Sequence, residues 1–359
     1  MTIHVPDAEL EDLRQRIRAT RWPEPSPAPG WTQGFPLDQL RELCDYWADE
    51  YDWRATESRL NAVPQFRTTV KGLEIHFLHA RSPHEHAFPL ILTHGWPGSV
   101  LEYLDLIGPL TDHGFDVVLP SLPGYGFSGK PTEPGWGVER TAEAWAQLMR
   151  ELGYDRYGAA GSDWGTSVSS ALGVLDPEHV AGIHLVPPLA GPDPDQQLTD
   201  AERVALAELS QVGSAYSEVH RTVPQTIGYA LVDSPVGLCA WMAEKLRSWA
   251  DVALTHDQIL DQVTLYWLTR SAASSARLYA ESIAVVADRI SGARADQVTV
   301  PTGASIFPAE VPRPSRRWAQ RRYPDLRYWA EHDRGGHFAA LEVPDLLVGD
   351  LRAFFSQVR

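Results

Sequence analysis

The sequence YGAAGSDWG, residues 157–165, decides the fold of this chain. It opens with an apolar run typical of a buried strand, and a helical segment follows it. Gly161 and Gly165 stand two places before and two places after Asp163. A tight strand-to-helix turn that presents a reactive side chain needs small residues at both places, because larger ones would clash. Ser162 does not fit this pattern, since Trp164 stands two places after it, so the turn is predicted to present Asp163.

Strands and helices alternate on both sides of this turn. A hairpin is predicted over 66–70 and 73–79, with further strands over 88–93, 116–119, 184–186, 298–301 and 326–330. Helices are predicted over 141–152 and, at the end of the chain, over 344–358. This alternation predicts an α/β protein with a mostly parallel sheet between helices, as in the α/β-hydrolase core.

Two regions depart from the alternation. Residues 1–80 combine helices predicted over 7–20, 37–50 and 53–61 with a proline-rich meander over 24–35, which cannot be regular structure. Residues 198–294 show helical periodicity throughout. We therefore predict an N-terminal helical and meander domain (1–80), a core in two parts (81–187 and 298–359) and an inserted α-helical lid (188–297).

An aspartate at the centre of the turn predicts a particular chemistry. A serine would attack acyl carbons, whereas a carboxylate attacks a saturated carbon that carries a leaving group and forms an ester with it. Epoxides and alkyl halides suit such a nucleophile. The structural alternative is that Asp163 only caps the following helix.

The order nucleophile, acid, histidine along the chain predicts the remaining catalytic groups. His337 lies in a glycine-rich loop between the last predicted strand and the final helix. Glu310 follows the predicted strand 298–301 and would orient His337. Asp325 and Asp333 are weaker candidates for the acid, because one begins the last strand and the other flanks the histidine loop.

Main-chain donors are predicted beside the nucleophile. His-Gly-Trp-Pro, residues 94–97, ends an early strand, and in this fold that loop contributes one N–H of an oxyanion hole. The second N–H comes from the residue after the nucleophile. Trp96 and Trp164 are the predicted donors.

These residues together resemble the microsomal type of epoxide hydrolase over nearly the full length of the chain. The resemblance rests on an ordered set of motifs: RWP at 21–23, YW at 46–47, YDWR at 51–54, GLEIHF at 72–77, HGWPGS at 94–99, SDWG at 162–165, FPAE at 307–310 and RGGHFAA at 334–340. It implies two lid tyrosines that hydrogen-bond the epoxide oxygen. By position these are Tyr279 and Tyr216, with Tyr266 as the rival of Tyr216.

The resemblance also implies the substrate and its surroundings. The substrate would be an apolar aryl or alkyl epoxide, opened with water to a vicinal diol without a metal or organic cofactor. Trp96, Trp164 and Phe338 are predicted to line its pocket, because large flat side chains suit apolar ligands. Membrane-bound members of the family carry an N-terminal anchor, which this sequence does not show before its first helix.

Composition and cysteine content limit the partners and the cellular location that the sequence predicts. The formal charge of −16 disfavours nucleic acid and anionic membranes as partners. Cys44 and Cys239 form no disulfide framework, and neither a signal peptide nor a stretch of about 20 apolar residues is evident. A cytoplasmic location is predicted, and a homo-oligomer stays possible.

Rival functions share much of this pattern. A haloalkane dehalogenase uses the same aspartate and histidine, but such enzymes usually place Asn or another halide donor where Trp96 stands, and a halide needs no tyrosine acids. A non-catalytic binder of small molecules on the same scaffold would be expected to have lost a member of the triad, and here all three are present. A serine esterase is disfavoured by the register of the turn.

Overall fold

A single eight-stranded sheet forms the centre of the computed structural model, which describes residues 1–193, 195–211, 215–293 and 296–359. The strands are β1 Gln65–Val70, β2 Leu73–Ala80, β3 Phe88–Thr93, β4 Phe115–Pro120, β5 Tyr157–Ser162, β6 Val180–Val186, β7 Thr302–Ile306 and β8 Leu326–Glu331. Their order is β1-β2-β4-β3-β5-β6-β7-β8. β1 pairs with β2, and β2 with β4, in antiparallel fashion, and the remaining pairs are parallel.

Helices surround this sheet. They are α1 Asp7–Arg18, α2 Leu37–Asp49, α3 Trp53–Asn61, α4 Leu104–Asp112, α5 Val138–Glu151, α6 Trp164–Leu175, α7 Asp200–Gln211, α8 Ala215–Thr222, α9 Pro224–Asp233, α10 Pro235–Ser248, α11 His256–Thr269, α12 Ala272–Ser291, α13 Arg316–Arg322, α14 Ala339–Glu342 and α15 Pro344–Phe355. The predicted α/β-hydrolase fold is confirmed by this architecture. In the parts of the chain that the structure describes, no helix is both long and apolar enough to cross a bilayer.

The strand order reverses direction at the middle of the sheet. The chain passes from β3 to β4 on one side, and then returns to β5 on the other side of β3. Connections therefore diverge at the carboxyl ends of β3 and β5 and leave a crevice there, which is where open α/β sheets bind their ligands. The turn at Asp163 follows β5, and His94 follows β3.

The strand predicted over 298–301 was placed too early, since β7 begins at Thr302. Pro301 has no N–H to donate to a ladder, although its carbonyl accepts from Ile183 N at 2.9 Å. Val298 and Val300 are buried because they pack on Gly173, where a Cβ would lie 2.8 Å from both side chains. The apolar run is therefore a core contact, and the strand follows it.

The last part of the predicted N-terminal region (1–80) belongs to the sheet. Its last part forms β1 and β2, and β2 pairs with β4 of the core. Its helical part packs on α11, because Trp47 Nε1 donates to Thr264 Oγ1 at 2.9 Å and Tyr51 Oη donates to Asp261 Oδ1 at 2.8 Å. The sheet thus begins inside the segment that the sequence assigned to a separate domain.

The long helical insertion lies between β6 and β7 and comprises α7 to α12. Residues 194, 212–214 and 294–295 of the predicted lid lie outside the described part of the chain. α12 is fixed to the core, since Tyr125 Oη donates to Ser275 O at 3.2 Å and Val138 N donates to Ser282 Oγ at 3.0 Å. These contacts hold one face of α12 above the carboxyl edge of the sheet.

Candidate active site

The turn between β5 and α6 has the tight geometry that its glycines predict. Asp163 has a φ of 52°, a conformation that L-residues rarely adopt. A Cβ on Gly161 would lie 2.5 Å from the carbonyl carbon of Gly165, and one on Gly165 would lie 1.8 Å from Thr93 O. Both positions therefore need glycine. Asp163 makes no side-chain N-cap hydrogen bond to α6, so capping does not account for it.

The Asp163 carboxylate is held by main-chain groups. Trp96 N donates to Asp163 Oδ1 at 2.8 Å, and the N–H of Trp164 also favours the charged form of this carboxylate. Gly95 permits this approach, because a Cβ there would lie 2.1 Å from Asp163 Oδ1. Burial raises the pKa of Asp163, while His337 and the two backbone donors oppose that rise. The two predicted main-chain donors thus both act on this carboxylate.

Ser162, the neighbour that the register argument set aside, points elsewhere. Its Oγ lies 2.8 Å from Tyr103 Oη in a hydrogen bond, and the residue is buried. It does not line the cavity that contains Asp163.

His337 connects the two carboxylates. Its Nδ1 lies 2.9 Å from Glu310 Oε1, and its Nε2 lies 3.6 Å from Asp163 Oδ2. The second distance is too long for a hydrogen bond. Burial lowers the pKa of His337, but Glu310, Asp163 and Glu102 outweigh it and raise the pKa to about 9. Of the three carboxylates considered from the sequence, Glu310 is the one that contacts this histidine, whereas Asp325 pairs with Arg327 at 2.8 Å.

Two tyrosines from the helical insertion face Asp163. Tyr216 on α8 and Tyr279 on α12 both line the cavity, with ring centroids 5.8 Å apart. Burial and the nearby Asp163 charge raise the pKa of Tyr216. Tyr266 is the rival that the sequence left open, but its Oη donates to Gly98 O at 2.8 Å and it is absent from the cavity wall. The geometry therefore pairs Tyr279 with Tyr216.

The cavity around these groups has a volume of about 400 Å³. Its described wall consists of Asp163, Trp164, Thr166, Ser167, Pro187, Leu189, Leu209, Tyr216, Ser217, Ser248, Trp249, Tyr279, Ile283, Val286, Ala287, Ile290, Ala309, Glu310, Val311, Pro312 and His337. Of the predicted lining residues only Trp164 belongs to this wall. Trp96 stacks behind Tyr216 with ring centroids 5.0 Å apart, and Phe338 packs behind His337 at 5.0 Å. Both support the wall without forming it.

A connection between the lid and the histidine loop could not be predicted from the sequence. Glu342 Oε2 accepts hydrogen bonds from the backbone N–H groups of Asp251 and Val252 at 2.7 and 2.8 Å, and Oε1 accepts from Phe338 N at 2.9 Å. Asp251 Oδ2 in turn accepts from Gly335 N at 2.8 Å. We call this set of contacts, made by Asp251 and Glu342, the carboxylate clamp. No sequence signal marks it, since its two segments lie about ninety residues apart.

Two further residues near the site were also missed. Trp249, at the end of α10, accepts a hydrogen bond at its carbonyl from His337 N at 3.0 Å, and its ring lies 4.9 Å from that of His337. Glu102 is buried next to Gly98, and burial together with the Asp163 charge raises its pKa to about 8. Ser99-x-x-Glu102 has the spacing of a helix capping box, so the sequence signal for Glu102 points to structure.

Comparison with known proteins identifies the family. Residues 1–103 match the family described as epoxide hydrolase N terminus, and residues 89–280 match the α/β hydrolase fold. A putative epoxide hydrolase from Stigmatella aurantiaca is 50% identical over 99% of this chain and 84% of its own length. The chain belongs to the microsomal type of epoxide hydrolase. Epoxide hydrolase 1 of Sus scrofa is 33% identical and covers 98% of this chain and 87% of its own length.

Solved structures of epoxide hydrolases share the whole architecture. The Aspergillus niger enzyme superposes with a TM-score of 0.90 at 35% identity, over 100% of this chain and 96% of that one. The juvenile hormone epoxide hydrolase of Bombyx mori superposes with a TM-score of 0.91 at 30% identity, over 100% and 94%. Because these matches span the full chain, the N-terminal region and the helical insertion belong to the epoxide hydrolase architecture along with the core.

Proposed function

We propose that this epoxide hydrolase opens an apolar epoxide through an ester on Asp163. The carboxylate is suited to attack because Trp96 N holds Oδ1 at 2.8 Å, while Oδ2 lies 3.6 Å from His337 Nε2. Oδ2 would form the bond to the epoxide carbon as the ring C–O bond breaks. Oδ1 would become the ester carbonyl oxygen, already bound by Trp96 N, which would stabilise a later oxyanion.

Tyr216 and Tyr279 supply the acid for ring opening in this proposal. An alkoxide is a poor leaving group, so a proton or a strong hydrogen bond must reach the ring oxygen as the bond breaks. Both hydroxyls stay protonated near neutral pH, because burial raises the pKa of each tyrosine. Both tyrosines line the cavity that contains Asp163.

His337 and Glu310 then activate water. His337 Nε2 takes a proton as the water oxygen attacks the ester carbon, and Glu310 stabilises the imidazolium from 2.9 Å. Formation of the ester neutralises Asp163, which is one of the groups that raise the pKa of His337. The pKa of His337 therefore falls when the ester forms, which increases the fraction of neutral base at the step that requires it.

Isotopic labelling tests this route directly. In one turnover in oxygen-18 water, the water oxygen should enter the Asp163 carboxylate while the first diol carries an unlabelled oxygen from the protein. Peptide mass spectrometry across residues 157–165 measures the label. A His337→Gln variant should accumulate the ester on the same peptide. Label that appeared only in the diol would mean that water attacks the epoxide directly.

One observation favours haloalkane dehalogenation as a second candidate. The indole N–H of Trp164 is buried without a hydrogen-bond partner among the described residues, and Trp164 lines the cavity. A free donor of this kind suits a departing halide as well as a substrate oxygen. Chloride release from 1-chlorobutane at a rate comparable to diol formation from 1,2-epoxybutane would establish this activity, and its absence would exclude it.

A further inference from the structure

His220 is a buried titratable side chain beside the active site to which the proposed reaction assigns no step. It lies on α8, one turn after Tyr216, with 1% of its surface exposed. It is absent from the described cavity wall, so any effect on the reaction must pass through other residues. Its Nε2 lies 3.0 Å from Nε1 of Trp241 on α10. An indole nitrogen can only donate, so Nε2 accepts this hydrogen bond and carries no proton.

The hydrogen bond from Trp241 therefore fixes the tautomer of the imidazole. Because Nε2 is the acceptor, the proton of the neutral ring is on Nδ1. This Nδ1 is buried and has no hydrogen-bond partner among the described residues. A buried donor without a partner costs about 1–3 kcal/mol, so its presence here requires an explanation. Burial lowers the pKa of His220 to about 4, which keeps the ring neutral near pH 7.

Three aromatic rings of the site pack against His220. Its ring centroid lies 4.9 Å from those of Trp96 and Tyr279 and 5.8 Å from that of Tyr216, with interplanar angles of 90°, 77° and 85°. These are edge-to-face contacts, in which the positive edge of one ring meets the negative face of another. A neutral imidazole with its proton on Nδ1 suits such surroundings, because an aromatic face accepts a weak hydrogen bond from an N–H group.

The same three rings belong to residues on which ring opening depends. Tyr216 and Tyr279 are the proposed acids, and Trp96 supplies the N–H group that holds Asp163 Oδ1 at 2.8 Å. Through His220 the tyrosine of α8 is packed against the tyrosine of α12, and Trp241 fixes His220 to α10. The position of a phenol hydroxyl follows from that of its ring. Contacts that hold both rings therefore also determine where both hydroxyls lie.

We propose that His220 is a positioning residue that holds Tyr216 and Tyr279 in the orientation needed to protonate the epoxide oxygen. The inference rests on the proposed function, since it assigns the two tyrosines to ring opening. Hydrolysis of the ester uses His337 with Glu310 in place of the tyrosines. A loss of this positioning should therefore slow formation of the ester and leave its hydrolysis unchanged.

Rapid-quench kinetics with styrene oxide separates the two steps, with the ester measured on the peptide 157–165. His220→Phe keeps an aromatic ring but removes both nitrogen atoms. We expect the first-order rate constant of ester formation to fall about ten-fold or more, because small displacements of a catalytic group have effects of this size, and that of ester hydrolysis to stay unchanged. First-order constants do not depend on how much protein folds. His113→Phe, at an exposed position after α4, is the matched control and should behave as the wild type.

Two further variants separate hydrogen bonding from the filling of space. His220→Gln loses the ring but retains an acceptor for Trp241 and an N–H donor, so it should form the ester faster than His220→Phe does. Trp241→Phe removes the donor that fixes the tautomer and should slow ester formation as well, whereas Trp31→Phe, at a side chain 39% exposed, should not.

Three results would overturn the role of His220. Ester formation at the wild-type rate in His220→Phe would show that the imidazole only fills space. Equal slowing of both steps would show that it supports the site as a whole and not the tyrosines in particular. If the wild type itself formed no ester, the proposed function would be wrong and the role of His220 with it.

Discussion

The conformation of Asp163 is maintained by its two neighbouring glycines. A positive φ at a residue other than glycine costs about 1–3 kcal/mol and persists only where the surroundings enforce it. Here the enforcement is close packing: Gly161 lies against Gly165, and Gly165 lies against Thr93. The site therefore depends on the lack of a Cβ atom at Gly161 and Gly165 as much as on the Asp163 carboxylate.

Adding one methyl group at this turn tests that dependence. Gly161→Ala would place a Cβ 2.5 Å from the Gly165 carbonyl carbon, so the turn must open and move Asp163. We expect kcat/KM to fall by about 100-fold or more, because a displacement of about 1 Å at a reacting group has that effect. Steady-state diol formation measures the loss. Gly108→Ala is the control, since a Cβ there meets no atom within 4 Å, and it should retain full activity.

The sequence predicted those site residues whose identity depends on the residues next to them in the chain. The spacing of Gly161 and Gly165 selected Asp163 over Ser162, and the loop positions selected His337 and Glu310, which the structure brings into contact at 2.9 Å. The partner of Tyr279 stayed open between Tyr216 and Tyr266. That choice depends on how α8, α11 and α12 pack together, and helical periodicity contains no information about such packing.

Among the elements, the histidine loop is held by the lid as well as by the core. The carboxylate clamp joins the segment after α10 to the loop that carries His337. Three backbone N–H groups converge on Glu342, and hydrogen bonds to a charged group are stronger than neutral ones. Glu342 does not line the cavity, so it acts on His337 by position alone.

Neutralising Glu342 should separate the two chemical steps. Glu342→Gln replaces one acceptor oxygen with a donor and loosens the loop that carries His337. We expect ester hydrolysis to slow about 10- to 100-fold, by analogy with the loss of other orienting partners, while formation of the ester changes little. Rapid-quench kinetics measures both steps. Asp345→Asn, on the exposed face of the neighbouring helix, is the matched control. Equal slowing of both steps would show that the clamp does not act through His337.

The strand β7 was predicted at the wrong residues for a physical reason. β7 consists of Thr-Gly-Ala-Ser-Ile, which shows neither alternation nor bulk. Its small residues are required because Phe354 packs on it, and a Cβ on Gly303 would lie 2.6 Å from Phe354 Cγ. A strand made of small residues shows no hydrophobic pattern of its own. The strand was therefore predicted at the valines just before it.

Across the whole molecule, four histidines whose pKa values are lowered most by burial make stability depend on pH. Burial lowers the pKa of His76 to about 3 and those of His94, His184 and His220 to about 4. Below pH 6.5 the unfolded chain binds protons at these positions and the folded chain does not, which favours unfolding. Glu102 acts in the opposite direction, because its pKa of about 8 lets the folded state hold a proton that the unfolded state lacks above pH 4.5.

These five groups alone give a net difference of about three protons (four minus one) between pH 6.5 and 4.5. Through them the free energy of unfolding should fall by up to about 4 kcal/mol per pH unit in this window, since each proton contributes about 1.4 kcal/mol per unit. Urea unfolding at pH 7 and at pH 5 measures the fall. His184→Asn should remove roughly a quarter to a third of it, because one of the four imidazoles is gone, whereas His4→Asn, at a side chain 77% exposed, should leave it unchanged. Equal stability at both pH values would mean that these imidazoles gain protons inside the folded protein, and that burial does not keep them neutral.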